Sequence, residues 1–130
     1  MTIDSDILIL RLNLIQKCHD KIKQILDISI DEFLENEINQ LAVERCLQLS
    51  AQAMADIGSH IIAQSGWQVP NTYSEIITVL SNKKILDKNL SKKLESFMGL
   101  RNILVHSYLD VDEALLYNEL KANLNDLLYI

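Results

Sequence analysis

The chain has 130 residues, 48% of them hydrophobic, and a formal net charge of −6 at pH 7. This length suits one domain with a single buried core, and the three glycines, one proline and few aromatic residues favour helices over sheets. The acidic balance argues against a protein that binds nucleic acid along an extended basic track, so a nucleic-acid site must be local. No apolar run could cross a bilayer and the N-terminus lacks the features of a signal peptide, so we expect a soluble, cytoplasmic protein without membrane contact.

The first half of the chain predicts two long helices. Apolar residues recur at helical spacing over residues 6–27 and cover more than one face of that helix. A helix with more than one apolar face usually packs against more than one partner. The additional face of this helix packs either against the rest of its own bundle or against a second subunit. A helical turn follows at 31–36, and a long core helix is predicted at about 37–63.

Two pairs of side chains on these helices could carry chemistry. Cys18 and Cys46 occupy apolar-face positions, which is typical of free buried thiols rather than of a disulfide or a metal site. Asp56 and His60 lie four residues apart on the polar edge of the core helix. They form either an ordinary solvated or hydrogen-bonded pair, which we favour, or part of a functional cleft.

The second half predicts a short helix and two further long ones. The pair Ser65-Gly66 ends the core helix, and Thr72-Tyr73-Ser74-Glu75 fits a capping box for the short helix. The next helix begins near Lys88 and continues through the segment 101–108, and the last one covers about 112–129. The chain as a whole, residues 1–130, is therefore predicted to be a single all-α domain. Its architecture is an antiparallel up-and-down bundle of four long helices with one short helix inserted.

Five of the twelve basic residues fall within eleven positions: Lys83, Lys84, Lys88, Lys92 and Lys93. Such a density in an acidic protein marks a candidate contact for RNA phosphates or for an acidic partner protein. A solvated helix start explains the same lysines equally well.

The segment 101–108 places an arginine, a histidine and a tyrosine in an otherwise apolar run. Buried polar groups without hydrogen bonds cost about 1–3 kcal/mol each, so these side chains require an explanation. Arg101 is a permanent cation whose planar fork suits phosphate oxygens, and His106 titrates near neutrality and can move a proton. Together they suit cleavage of a phosphodiester, with Asn102 available to orient the imidazole or a phosphate oxygen.

The pattern Arg-x4-His-x-Tyr, preceded by Phe97-Met98-Gly99-Leu100 and followed by Leu109-Asp110-Val111-Asp112, resembles that of HEPN-domain proteins of the HepT type. These are ribonuclease toxins paired with minimal nucleotidyltransferase (MNT) antitoxins. The resemblance extends over essentially the whole chain in length and helix order. It implies a HEPN-like homodimer, an RNA substrate, an MNT antitoxin as partner, and AMP addition to Tyr108 as the inactivating step.

The activity that we expect is metal-independent endoribonuclease cleavage, in which the ribose 2′-OH attacks its own 3′ phosphate. His106 acts as general base or general acid, and Arg101 stabilises the charge that develops on phosphate oxygens. No Asp, Glu or His cluster has metal-ligand spacing, so we expect neither a metal nor another cofactor. One histidine per chain falls short of an acid and base pair, and a two-fold dimer would supply both.

Alternatives stay open both for Tyr108 and for the motif as a whole. Tyr108 is a substrate contact, a packing hydroxyl or, on the resemblance alone, the modified residue. The motif as a whole could instead be structural, with Arg101 paired to Asp110 or Asp112 and His106 bonded to a carbonyl. A third interpretation makes the chain a non-catalytic subunit of a nucleotidyltransferase, which binds a nucleotide or a partner through the same side chains.

Overall fold

A computed structural model describes the backbone of residues 5–106 and 113–127, and the side chains of residues 6–97 and 113–122. Within these residues the chain forms six helices and no strand. They are α1 (Ser5–Ile25), α2 (Ile30–Glu35), α3 (Glu37–Gln64), α4 (Tyr73–Asn82), α5 (Lys88–His106) and α6 (Glu113–Leu127). The predicted all-α class is confirmed, and the helical turn expected at 31–36 is the short helix α2. None of these helices has the length and apolarity needed for a membrane span.

Cap side chains determine where α2, α3 and α4 begin. Ser29, Asn36 and Thr72 each accept, through a side-chain oxygen, a hydrogen bond from the backbone N–H three residues along the chain. Each bond satisfies one of the N–H groups that the first turn of a helix leaves without a partner. Asn36 also ends α2, which is why the chain bends there before α3 starts.

Three contacts between helices establish an up-and-down bundle. Arg11, early in α1, lies 3.3 Å from Asp56, late in α3, so these two helices are antiparallel. Tyr117, early in α6, donates a hydrogen bond of 2.6 Å to the carbonyl of Ile28 just after α1, so α6 starts where α1 ends. Lys83, at the end of α4, lies over the ring of Trp67 just after α3, so α5 begins at the end of the bundle where α3 finishes. The predicted antiparallel arrangement of α1, α3, α5 and α6 is confirmed.

The core lies between these four helices and α2. Its largest fully buried side chains are Phe33, Ile22, Leu26, Leu47, Ile62, Leu116, Leu120 and Val43. The two cysteines are also buried and both are free, as predicted. Burial and the neighbouring thiol of Cys18 raise the pKa of Cys46 to about 11, so this thiol is protonated and unreactive at neutral pH.

The short helix α4 packs very closely on α3. A Cβ atom at Gly58 would lie 2.6 Å from Cγ2 of Ile76 and 3.3 Å from Cδ1 of Leu80. Glycine at this position is therefore what allows α4 to approach, and α4 in turn determines where α5 begins.

The ends of α3 and α4 share one backbone pattern. After α3, the N–H groups of Gly66 and Trp67 bond to the carbonyls of Ala63 and Ile62; after α4, those of Lys84 and Ile85 bond to the carbonyls of Ser81 and Leu80. This is the Schellman motif, which requires a left-handed residue. Gly66 fills that position with φ of 79°, whereas Lys84 fills it with φ of 60°. A lysine thus stands where glycine is favoured.

Replacement of Lys84 by glycine should stabilise the fold. We expect Lys84→Gly to raise the free energy of unfolding by about 1 kcal/mol, because the left-handed conformation is strained for residues with a Cβ atom. Urea unfolding at a fixed protein concentration measures this change, and the slope with denaturant should stay the same. Gly66→Ala is the matched control and should lower stability by a similar amount. Equal stability of all three proteins would show that neither position is strained.

Candidate functional site

The candidate catalytic residues lie at the far end of α5. Arg101, Asn102 and His106 occupy its last two turns, and His106 is its final residue. On an ideal helix Asn102 and His106 share a face, whereas Arg101 and His106 diverge by roughly 140°. Tyr108 lies outside the described residues, as do the segments 107–112 and 128–130.

The structure separates the lysines from this motif along one helix. Lys88 begins α5 and His106 ends it. At 1.5 Å per residue, Lys88 lies about 20 Å from Arg101 and about 27 Å from His106. Lys88, at the start of the helix, therefore cannot contact the same phosphate as Arg101 and His106 of its own chain.

Four of the five lysines project into solvent around the turn from α4 to α5. Lys83, Lys84, Lys88 and Lys92 are exposed, and Lys93 is partly buried. The Lys83 ammonium lies 4.8 Å from the centroid of the Trp67 ring, which is a cation–π contact. Trp67 is itself partly buried, since it packs against the smaller core cluster formed by Ala55, Ile62, Ile76 and Leu80.

Asp56 belongs to a chain of hydrogen-bonded side chains. Its two carboxylate oxygens accept from Arg11 Nε at 3.3 Å and from Gln52 Nε2 at 2.9 Å. The hydroxyl of Tyr73 then donates to Gln52 Oε1 at 3.0 Å. Asp56 is therefore a hydrogen-bonded carboxylate, with Arg11 and Gln52 among its partners, and its part in a functional cleft stays a hypothesis. His60, one turn further along α3, is partly buried.

This network lines one wall of a groove between α3 and the start of α4. The groove has a volume of about 670 Å³, and its other walls come from residues 70–74. The sequence contained one sign of the network, because Gln52 and Asp56 are four apart on a helix. The link from Arg11 spans 45 residues and had no local sign.

Among the described side chains, those of residues 6–97 and 113–122, no group of three or more histidine, cysteine or acidic residues is placed to hold a metal ion. Some of the described acidic residues take part in ion pairs and helix caps instead. Asp87 is an example, since its carboxylate accepts the Leu90 N–H at 2.7 Å at the start of α5.

Comparison with known proteins identifies the class of the fold. Residues 15–130 match the model of the family described as "HepT-like: Ribonuclease HepT-like". The solved structure of the tri-AMPylated HEPN toxin of Shewanella oneidensis in complex with an MNT antitoxin has the same fold. Its TM-score is 0.83 at 27% identity, and the alignment covers 95% of this chain and 92% of that one.

Two relatives give the same result from sequence. The tRNA nuclease HepT of Aphanizomenon flos-aquae is 39% identical over 102 residues, which are 78% of this chain and 69% of that protein. The mRNA nuclease HepT of Shewanella oneidensis is 28% identical over 122 residues, which are 94% of this chain and 91% of that protein. The chain belongs to the HepT-like ribonuclease family, and the predicted resemblance is confirmed.

The two tyrosine hydroxyls of the described bundle should differ in their contribution to stability. We expect Tyr117→Phe to lower the free energy of unfolding by about 1–2 kcal/mol, because it leaves the partly buried Ile28 carbonyl without its hydrogen bond. Tyr73→Phe should cost less than about 1 kcal/mol, because its bond to Gln52 is exposed to water. Urea unfolding tests the order, and the reverse order would contradict the hydrogen bonds described above.

Proposed function

We propose that this chain is the toxin of a toxin–antitoxin pair and acts in the cytoplasm as a metal-independent endoribonuclease. Arg101 and His106 are its catalytic residues, and Asn102 supports them. The observation that carries this proposal is the family match over residues 15–130, which includes the motif at the end of α5. The two relatives described above are both named as HepT nucleases, one of tRNA and one of mRNA, which supports RNA as the substrate class.

The chemistry follows from the two side-chain types. His106 removes the proton from the ribose 2′-OH or donates one to the leaving 5′ oxygen, and the products carry a 2′,3′-cyclic phosphate and a 5′-hydroxyl. Arg101 places two N–H donors on the phosphate oxygens, where negative charge accumulates in the transition state. Neither step requires a metal ion.

A homodimer completes the site in this proposal. One His106 cannot serve as base and acid in the same step, so a two-fold arrangement brings a second copy into the cleft. The first helix supports such an arrangement, because Ile9, Leu10 and Leu12 are 53%, 63% and 50% exposed in the single chain. Apolar side chains exposed together are typical of a surface that a partner covers.

The partner that inhibits the toxin is an MNT antitoxin in this proposal, and Tyr108 is the residue that receives AMP. The Shewanella oneidensis HEPN toxin, which is AMPylated and bound to an MNT antitoxin, supports both points. Tyr108 follows His106 by two residues, so an added AMP would place negative charge beside Arg101 and His106. That charge would compete with the RNA phosphate for Arg101 and block its entry.

Replacement of His106 tests the activity directly. We expect His106→Ala to reduce cleavage of a mixed RNA pool at least about 100-fold in excess EDTA, because general acid–base catalysis contributes roughly 10²–10⁴-fold. Wild-type products should end in 2′,3′-cyclic phosphates. His60→Ala, which removes a histidine of α3 outside the motif, is the matched control and should retain cleavage.

Two results would overturn the proposal. Cleavage that disappears in EDTA for wild-type protein would exclude the metal-independent mechanism. Equal activity of wild type and His106→Ala, with both proteins folded and dimeric, would exclude His106 as a catalytic residue. If neither protein cleaves RNA, this equality favours the alternative of a non-catalytic, nucleotide- or partner-binding subunit.

A further inference from the structure

The turn from α4 to α5 concentrates positive charge on an acidic protein. We call the exposed side chains Lys83, Lys84, Lys88 and Lys92 the lysine corner. The only acidic residue between positions 83 and 92 is Asp87, and its carboxylate is used to cap α5. The corner therefore carries a net positive charge on a chain whose overall charge is −6.

This placement does not serve the stability of the helices. Asp87 caps α5 with its carboxylate, but the first turn itself begins with Lys88 and holds no acidic residue, although the N-terminus of a helix carries a partial positive charge. Lys84 adds a lysine at a left-handed position, where glycine would be less strained. Both features reduce stability and increase the local positive potential, which is the arrangement expected where an anion binds.

The corner is also held in a defined position. The two hydrogen bonds at the end of α4 define the turn, and Trp67 supports the Lys83 side chain from beneath. Trp67 is in turn packed against the smaller core cluster. The lysines are thus presented on a rigid base, which lowers the entropy lost when they bind a ligand.

We propose that the lysine corner binds the helical stem of a folded RNA while Arg101 and His106 act on a phosphate at the other end of α5. This inference rests on the proposed ribonuclease function and adds to it the shape of the substrate. The distance from Lys88 to the motif is about 20–27 Å. At roughly 2.8 Å per base-pair step of an A-form RNA helix, a stem must have about seven to ten base pairs to reach both.

Two features favour a helical stem over a single strand. Proteins that bind single strands stack the bases on exposed aromatic rings, and residues 82–93 contain no aromatic residue. The nearby Trp67 is partly buried and its ring is occupied by Lys83. Lysines act as point charges that contact phosphates without reading bases, which suits recognition of a stem by its backbone.

The test compares two triple variants that change the net charge equally. Lys83→Gln/Lys84→Gln/Lys88→Gln removes three charges of the corner. The matched control, Lys17→Gln/Lys21→Gln/Lys23→Gln, removes three exposed charges of α1. Both are made in the full-length His106→Ala protein, so that binding is measured without cleavage.

The ligands are two RNA hairpins with the same loop and with stems of about 4 and 12 base pairs, one shorter and one longer than the span estimated above. Fluorescence anisotropy at several salt concentrations gives the affinities. We expect the corner variant to bind the long hairpin at least about tenfold more weakly, with a salt slope smaller by roughly 2–3 for three lost phosphate contacts. The affinity of the corner variant for the short hairpin should change less than about threefold. The affinity of the control variant for either hairpin should also change less than about threefold.

Three outcomes would overturn the inference. The first is that the corner variant binds the long hairpin with unchanged affinity. The second is that the control variant loses as much affinity as the corner variant. The third is that the corner variant loses as much affinity for the short hairpin as for the long one. A corner variant that keeps its RNA affinity but no longer binds the purified MNT antitoxin would assign the corner to an acidic protein partner instead.

The fate of the inference can be separated from that of the proposed function. Cleavage of the same hairpins is measured in parallel with His106 intact. Cleavage that depends on His106, together with an unchanged corner variant, overturns only the inference. If no cleavage depends on His106, the proposed function is overturned, whatever the lysine corner binds.

Discussion

The continuity of α5 is the constraint on which the functional account depends. A single helix of 19 residues connects the lysine corner to Arg101 and His106, so the separation of the two charged regions is set by helix geometry. Leu94 and Phe97, midway along α5, are buried in the core and hold the helix in place. Gly58 admits α4 to the surface of α3, and the turn after α4 then determines where α5 begins. The core therefore positions both ends of α5 at once.

The proposed RNA contacts lie at the two ends of α5. An overall charge of −6 disfavours general binding to nucleic acid, so the proposed RNA contacts are local. In our proposals they lie in two regions, the lysine corner and the motif with Arg101 and His106. An RNA that contacts only one of them loses much of the electrostatic attraction, because surface charges beyond about 8–10 Å are screened at physiological salt. In our proposal, contact with both regions selects the substrate by its shape.

Much of the fold could be predicted from the sequence because its determinants are local. Helical periodicity predicted the long helices, and Gly66 and Thr72 correctly predicted the end of α3 and the start of α4. Contacts between distant residues had no such sign. The pairing of Arg11 with Asp56 and the placement of Lys83 over Trp67 depend on how the helices pack. The left-handed Lys84 was also missed, since a lysine does not indicate that conformation.

The candidate site also has a part that the sequence predicts and a part that it does not. Residue chemistry identified Arg101 and His106 as a pair suited to phosphodiester cleavage, and the family match supports that choice. Their convergence on one phosphate stays a prediction, because it depends on a second subunit and not on the helix that carries them. The sequence did predict that one helix begins near Lys88 and continues into the motif, and α5 confirms this over Lys88–His106.

The shared dimer cleft is the central claim, and mixed dimers test it most directly. One subunit carries His106→Ala, the other is wild type, and a different affinity tag on each allows the mixed dimer to be purified. If the two histidines serve one cleft as acid and base, the mixed dimer should cleave RNA at least about 100-fold more slowly than the wild-type dimer. A mixed dimer with half the wild-type rate would mean that each subunit carries an independent site, and it would contradict the account.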